Sequence, residues 1–207
     1  MRSVVLATQN AKKGRELEDL VRGTFTVRTL TDVGLAHLHI EESGETFAAN
    51  ARLKVDAVVA ALSAAERART DVVIGDDSGL IVDALSSGSC SRPGVRSARF
   101  ALDAGTGQGD ADNNALLLLM MQAVPEPMRS ARFASAVCAV VVPGAAVFEA
   151  FATVEGRVAG DLQGAGGFGY DPLFICETGE RMAELSTAAK HAISHRGRAM
   201  RELLAKL

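Results

Sequence analysis

The stretch Val72-Val73-Ile74-Gly75-Asp76-Asp77-Ser78-Gly79-Leu80 decides how the rest of the chain is organised. Its three β-branched apolar residues predict a short buried strand, and its two glycines predict that the strand ends in a loop at the carboxylates. In open α/β folds, ligands bind beyond the carboxyl ends of strands, so this loop is a candidate site. Because consecutive strand residues point to opposite faces, Asp76 and Asp77 are expected to have different roles. The plainer alternative is a polar turn with Asp76 as a cap and Asp77 in solvent.

The composition sets limits on fold and partners. A chain of 207 residues is long enough for one large domain or for two small lobes that share a sheet. Hydrophobic residues make up 48% of the chain, which can supply a sizeable core. The net charge is −3 and the basic residues are dispersed, so binding to a nucleic-acid polymer is not indicated. Any phosphate binding must therefore come from a local site.

The cysteines and the apolar segments indicate a cytoplasmic protein. The 3 cysteines lie far apart without C-x-x-C spacing, so neither a zinc site nor a disulfide framework is predicted. The chain opens directly into a predicted strand at 3–7, with no secretory segment before it. The apolar run at 115–123 is far shorter than the roughly 20 residues that span a bilayer, so no membrane partner is expected.

Two lysines near the N-terminus predict an anion site. Asn10 is a good N-cap for a helix that reaches about residue 21, and Lys12 and Lys13 occupy its first turn. Cations are disfavoured there by the helix dipole, so a bound phosphate would explain them. The alternative is two solvated lysines on an ordinary βα unit. Further elements are predicted as a strand at 25–30, a helix at 46–67, a strand at 80–85, a helix at 115–123, and a hairpin of strands 132–142 and 145–154.

The C-terminal half holds two further candidate segments. Residues 163–172 are rich in glycine, and Phe168 and Tyr170 alternate so that both could face a base. The segment is not a Walker loop, and an Ω-loop stiffened by its own aromatic residues is the alternative. Lys190, His195 and Arg196 cluster near the start of a final helix beginning at about residue 194. A solvated basic cluster is the ordinary explanation, but an acceptor-rich ligand explains it better.

Taken together, six segments resemble the inosine/xanthosine triphosphate pyrophosphatase family, enzymes that remove non-canonical purine nucleotides. The segments extend over nearly the whole chain, and they are TQNAKK at 8–13, EESGETFAANARLKVDA at 41–57, GDDSGL at 75–80, PGVRSARFA at 93–101, GFGYDPLF at 167–174 and AELSTAAKHAISHRG at 183–197. Two departures bear on fine specificity and loop packing: Gln163 stands where an arginine is usual, and Arg96 replaces an aromatic residue.

The resemblance implies a role for individual residues. Asp77 would be the catalytic residue and a metal ligand, Glu41 a second candidate ligand, and Ser78 a substrate contact. The triphosphate would be bound by Thr8, Gln9, Asn10, Ala11, Lys12 and Lys13. The nucleoside pocket would be formed by Phe168, Gly169, Tyr170, Asp171, Lys190, His195 and Arg196.

The resemblance also implies a fold and a reaction. The expected fold is α/β, with an elongated central mixed sheet flanked by helices and two lobes with the active-site cleft between them. Residues 1–207 would form this single domain, which would assemble as a homodimer. The expected reaction is Mg²⁺-dependent hydrolysis of ITP, dITP or XTP to the monophosphate and pyrophosphate. Two alternatives stay open: a non-catalytic purine nucleotide sensor, and a house-cleaning pyrophosphatase for modified pyrimidine nucleotides.

Overall fold

Six strands form one mixed sheet in the order β2-β1-β3-β4-β5-β6 in the computed structural model, which describes residues 1–207. β1 pairs in parallel with β2 and β3, whereas β5 and β6 are antiparallel. This confirms the predicted α/β fold with a mixed sheet. The strands are β1 (Arg2–Leu6), β2 (Phe25–Arg28), β3 (Val72–Val82), β4 (Ser130–Val141), β5 (Val147–Val158) and β6 (Phe174–Cys176). The helices are α1 (Ala11–Val21), α2 (Phe47–Ala61), α3 (Ala64–Arg67), α4 (Phe100–Asp103), α5 (Asp110–Met121), α6 (Thr187–Ile193) and α7 (His195–Leu204).

The chain divides into two compact units, and each has its own core. Unit 1 comprises Met1–Asp77, Ser135–Ala152 and Arg196–Leu207. Its core includes the fully buried Val4, Leu17, Ile74, Ala199 and Leu203. Unit 2 comprises Ser78–Ala134 and Thr153–His195. Its core includes Val82, Leu117, Met121, Phe133 and Phe174.

The loop predicted at Gly75–Gly79 is wrong, because β3 continues through these residues to Val82. The two glycines mark places where other backbone comes close, not a turn. A Cβ on Gly75 would lie 2.9 Å from Val55 Cγ2 and 3.2 Å from the carbonyl oxygen of Ala51 in α2. A Cβ on Gly79 would collide with Ser97. Both aspartates are consequently buried within a strand rather than displayed on a loop.

Helix boundaries differ from the predictions where local capping decides them. The helix expected at 46–67 is divided into α2 and α3, because Ser63 begins a new helix by accepting a hydrogen bond from Glu66 N–H. α5 begins at Asp110, ahead of the predicted start at 115. Of the strand predicted at 80–85, residues 80–82 form the end of β3, whereas Asp83–Leu85 form a 3-10 turn, so the second half of that prediction is wrong. None of the helices is long and apolar enough to cross a membrane.

Candidate active site

Asp76 is the buried anchor of a cluster of charges in unit 1. Its side chain is fully buried, and Arg196 donates through Nε to Oδ2 at 3.0 Å. Arg196 also pairs with Glu16 of α1, and Lys13 Nζ lies 3.6 Å from Asp76 Oδ2. Burial alone would raise the pKa of Asp76, but the positive charges of Lys13, Arg196 and Lys54 outweigh it and hold this pKa far below its usual range. Asp76 is therefore ionised and structural.

Asp77, the next residue, has a different environment. Lys54 of α2 donates to its Oδ1 at 3.0 Å, and Asn50 donates through Nδ2 to its Oδ2 at 3.2 Å. Burial raises the pKa of Asp77, and Glu42 adds to the rise, whereas Lys54 and Lys13 oppose it. The carboxylate is therefore costly to ionise, which is typical of functional carboxyl groups. The expectation that the two aspartates differ in role is supported by these contacts.

Lys54 and Asn50 also hold the acidic segment at 41–45. Lys54 Nζ lies 3.1 Å from Glu42 Oε1, and Asn50 Oδ1 accepts from Gly44 N–H at 2.8 Å. Burial lowers the pKa of Lys54, but the negative charges of Asp77, Asp76 and Glu42 outweigh this and raise it, so the lysine stays protonated. The carboxylate that pairs with Lys54 in this segment is that of Glu42, whereas Glu41 is exposed.

Asn10 caps α1 as predicted, but Lys12 and Lys13 in the first turn of the helix have different environments. Asn10 caps α1 by accepting from the N–H groups of Lys12 and Lys13 at 2.9 and 3.1 Å, and its own N–H donates to Thr8 Oγ1. Lys12 is exposed. Lys13 Nζ lies 3.8 Å from Asp77 Oδ1, and burial lowers the pKa of Lys13. Gln9 donates to the carbonyl oxygen of Leu38, and Ala11 is the first residue of α1.

Unit 2 contains a second polar cluster, at the glycine-rich segment. Asp171 is buried, and its Oδ2 accepts from Lys190 Nζ at 2.7 Å and from Phe168 N–H at 2.8 Å. Lys190 Nζ lies 5.0 Å from the centroid of the half-buried Phe168 ring, a cation–π geometry. The structure therefore brings together three residues that the resemblance assigned to the nucleoside pocket.

The aromatic surface expected from Phe168 and Tyr170 is not formed. Tyr170 is only 3% exposed, packs in the core of unit 2, and donates its hydroxyl to the carbonyl oxygen of Ser97 at 2.9 Å. Burial raises the pKa of Tyr170, and the charge of Asp110 adds to this. Strict alternation fails here because Gly169, between the two aromatic residues, has a positive φ and turns the backbone. Phe168 is left as the candidate stacking residue.

His195 and Arg196 are consecutive but belong to different units. The His195 ring is buried and stacks on Phe133, with centroids 4.9 Å apart and an interplanar angle of 11°. The Arg196 guanidinium lies against Asp76 and Glu16, so it contributes to the acidic cluster of unit 1. Ser78, the first residue of unit 2, is half-buried within β3.

Several residues of these clusters were not predicted as site residues. They are Glu16, Glu42, Asn50, Lys54 and Asp76 in unit 1, and Asp110 and Asn114 in unit 2, whose side chains hydrogen-bond to the backbone of Gly169. The i, i+4 spacing of Asn50 and Lys54 on one flank of a helix was the available signal, because it places both polar groups on the same face. For Asp110 and Asn114 the same spacing was hidden by the wrong start of α5.

Comparison with known proteins gives consistent results over the full length of the chain. The sequence profile of the Ham1 family matches residues 4–206. The dITP/XTP pyrophosphatase of Geobacillus kaustophilus is 44% identical, covering 98% of this chain and 93% of the relative. That of Nocardia farcinica is 41% identical, covering 100% and 95%. The Ham1 protein structure from Staphylococcus aureus has a TM-score of 0.80 at 32% identity, covering 99% of this chain and 97% of that one.

Proposed function

The chain belongs to the Ham1 family, and we propose on this basis that it hydrolyses non-canonical purine nucleoside triphosphates (ITP, dITP and XTP) to the monophosphate and pyrophosphate. The observation that carries the proposal is the carboxyl group of Asp77, held by Lys54 and Asn50 with a raised pKa. A buried carboxylate whose ionisation is disfavoured adds little to stability and is typical of catalytic sites, which supports this role for Asp77.

Asp77 is suited to act on the attacking water. Hydrolysis requires water to attack the α-phosphorus in line with the leaving pyrophosphate, and a carboxylate with a raised pKa is a better proton acceptor than an ordinary one. Lys13, beside both aspartates, would stabilise negative charge on the pyrophosphate as it leaves. The start of α1 would add its dipole to the binding of phosphate. Thr8 and Asn10 would fix the loop that precedes this helix.

Mg²⁺ is the cofactor that the site best fits. No cluster of three or more His, Cys, Asp or Glu side chains suited to a metal is present in residues 1–207. Mg²⁺ needs no such cluster, because it is held by one or two carboxylates together with substrate phosphates. Asp77 would hold it, with a second carboxylate from the acidic segment: Glu41 by family resemblance, or Glu42, which shares Lys54 with Asp77. Bound there, the ion would neutralise phosphate charge.

Selection of the base would rest on hydrogen-bond donors in unit 2. Inosine and xanthosine carry an acceptor oxygen at the purine 6-position, which Lys190 or His195 could satisfy. Adenine carries a donor there, and each protein donor left unpaired costs about 1–3 kcal/mol. Guanine also carries an oxygen at the 6-position, so rejection of GTP must depend on the purine 2-position. Phe168 would stack on the base, and Arg196 would act through Asp76 in the acidic cluster.

The decisive test compares Asp77→Asn with Asp56→Asn. Asp56 is an exposed aspartate on α2 that pairs with Arg52, so its substitution controls for loss of one carboxylate. Pyrophosphate release from ITP, dITP, XTP, GTP and ATP is measured with Mg²⁺ and with EDTA. We expect rapid, Mg²⁺-dependent release from the first three, which Asp77→Asn abolishes while nucleotide binding survives and Asp56→Asn leaves unchanged. Full turnover by Asp77→Asn would contradict the assignment, and binding without turnover by the wild type would favour a sensor.

We also propose that the chain acts as a homodimer in the cytoplasm, where nucleotide pools are found. In unit 1, Phe151 is 54% exposed and lines a depression together with Ala136, Cys138 and Ala150. Aromatic residues are enriched in protein interfaces, which makes this part of the surface the candidate for the dimer contact. Light scattering after size-exclusion chromatography should give the mass of two chains for the wild type and of one for Phe151→Asp. A monomeric wild type would contradict the proposal.

A further inference from the structure

The backbone of Gly169, in the glycine-rich segment of unit 2, is held on both sides by side chains of α5. Its N–H donates to Asp110 Oδ2 at 3.0 Å, and its carbonyl oxygen accepts from Asn114 Nδ2 at 2.9 Å. Asp110 and Asn114 are separated by one helical turn and therefore lie on the same face of α5. The backbone N–H and the carbonyl oxygen of Gly169 are thus both hydrogen-bonded to α5. The two side chains that bind them, Asp110 and Asn114, have no part in the function proposed above.

The two hydrogen bonds restrict the backbone conformation of Gly169, a residue that would otherwise have wide conformational freedom. Its φ is +64°, in the left-handed region, and glycine is the residue with the widest choice of backbone conformations. The residues on either side are already held: Phe168 N–H by Asp171, and the Tyr170 hydroxyl by Ser97. Gly169 therefore joins the half-buried Phe168 to the buried Tyr170, and a change in its backbone angles would move the Phe168 ring relative to Lys190.

The side-chain amide of Asn114 is not explained by its contribution to stability. Its side chain is only 5% exposed, and its Oδ1 is buried with no hydrogen-bond partner within the protein. A buried acceptor without a partner is destabilising, and an apolar residue of the same shape would avoid the cost. The hydrogen bond that its Nδ2 donates to the carbonyl oxygen of Gly169 offsets part of this cost. An asparagine here is explained by the need to fix the segment that carries Phe168.

We propose that Asp110 and Asn114 form a clamp that positions Phe168 for stacking on the purine base, and so determine base affinity without touching the reacting atoms. The inference rests on the function proposed above. Because the clamp acts on base binding, its loss raises KM and leaves kcat almost unchanged. Binding of inorganic pyrophosphate, which has no base, is unaffected.

The variants are Asp110→Ala, Asn114→Leu and Asp110→Asn, with Asp112→Ala as the matched control. Asp112 is also a half-buried aspartate in the first turn of α5, but its Oδ2 accepts from Gln108 N–H at 2.8 Å. Removing either clamp residue should raise KM for ITP roughly tenfold and change kcat by less than about threefold. Asp110→Asn keeps an acceptor oxygen and should restore most of the affinity. Inhibition by pyrophosphate should be the same in all variants.

A second readout follows the segment without any turnover. The chain has 1 tyrosine and no tryptophan, so intrinsic fluorescence reports Tyr170, the neighbour of Gly169. Acrylamide should quench this emission more strongly in Asp110→Ala and Asn114→Leu than in the wild type, Asp110→Asn or Asp112→Ala. Circular dichroism checks folding, and if Asn114→Leu fails to fold, the two Asp110 variants decide.

Two results would overturn the clamp. The first is that Asp110→Ala and Asp112→Ala have the same KM for ITP and the same acrylamide quenching. The other is an Asp110→Asn variant as impaired as Asp110→Ala, because the hydrogen bond to Gly169 would then not be the cause. If the wild type does not hydrolyse ITP, the proposed function is refuted. The quenching comparison does not depend on turnover, so it would still show whether Asp110 and Asn114 hold the segment.

Discussion

The same substitution, aspartate to asparagine, should affect different properties of the protein at Asp76 and at Asp77. Asp76→Asn and Asp77→Asn each remove one negative charge from a buried position on β3 and leave the side-chain shape nearly intact. Asp76 compensates Arg196 and Lys13, whereas Asp77 is ionised against the cost of its burial. We therefore expect Asp76→Asn to reduce stability and Asp77→Asn to remove activity at little cost in stability.

The expected loss of stability in each variant follows from the ion pairs and hydrogen bonds of the substituted aspartate. Removing one partner of a buried ion pair costs about 3–5 kcal/mol, and Glu16 still pairs with Arg196 in Asp76→Asn, so the lower end of about 3 kcal/mol applies. For a chain of this size, that loss lowers Tm by roughly 6–12 °C. In Asp77→Asn, Lys54 keeps its ion pair with Glu42, and the weaker hydrogen bonds from Lys54 and Asn50 are offset by relief of an unfavourable buried charge. The net change there should stay within about 1 kcal/mol.

The assay is urea unfolding and thermal unfolding in EDTA, at neutral pH and over a series of lower pH values. The pKa of Asp76 is depressed in the folded state, so its ionised form contributes stability above the unfolded pKa of about 4, and this contribution is lost as pH falls through the folded pKa. The difference between the wild type and Asp76→Asn should therefore narrow below about pH 4. Equal destabilisation by the two substitutions, or a difference that does not change with pH, would refute the reasoning.

Three further predictions concern residues outside the acidic cluster. Because burial raises the pKa of Tyr170, tyrosinate absorbance should develop well above its usual pH in the native protein and return to the usual range in denaturant. Burial raises the pKa of Cys138 to about 12, so a thiol reagent should modify only the exposed Cys90 before unfolding and all 3 cysteines after it. Gly156→Ala should lower the free energy of unfolding by about 1–3 kcal/mol or more in urea melts, because the new Cβ collides with the carbonyl oxygen of Ile175 across the β5–β6 pair.

Local signals in the sequence were sufficient for several elements of the fold. The cap at Asn10, the run of β-branched residues at 72–74 and the apolar periodicity of α7 each act over a few residues, and the structure confirms the elements that they predict. The family resemblance predicted the sheet architecture, and the match of residues 4–206 to the Ham1 family supports it.

What the sequence alone determined about this protein is therefore its fold class and its family, together with a set of candidate site residues, because short-range patterns and motifs carry that information. Only the tertiary structure decided which partner each of those residues has. Glycines at 75 and 79 read as a turn until α2 and the 94–99 segment are packed against them. Strand alternation predicts that Asp76 and Asp77 differ, but not how: Arg196 and Lys54, distant in the chain, each contact one of the two carboxylates. Burial and long-range pairing set their pKa values, and no local pattern encodes either.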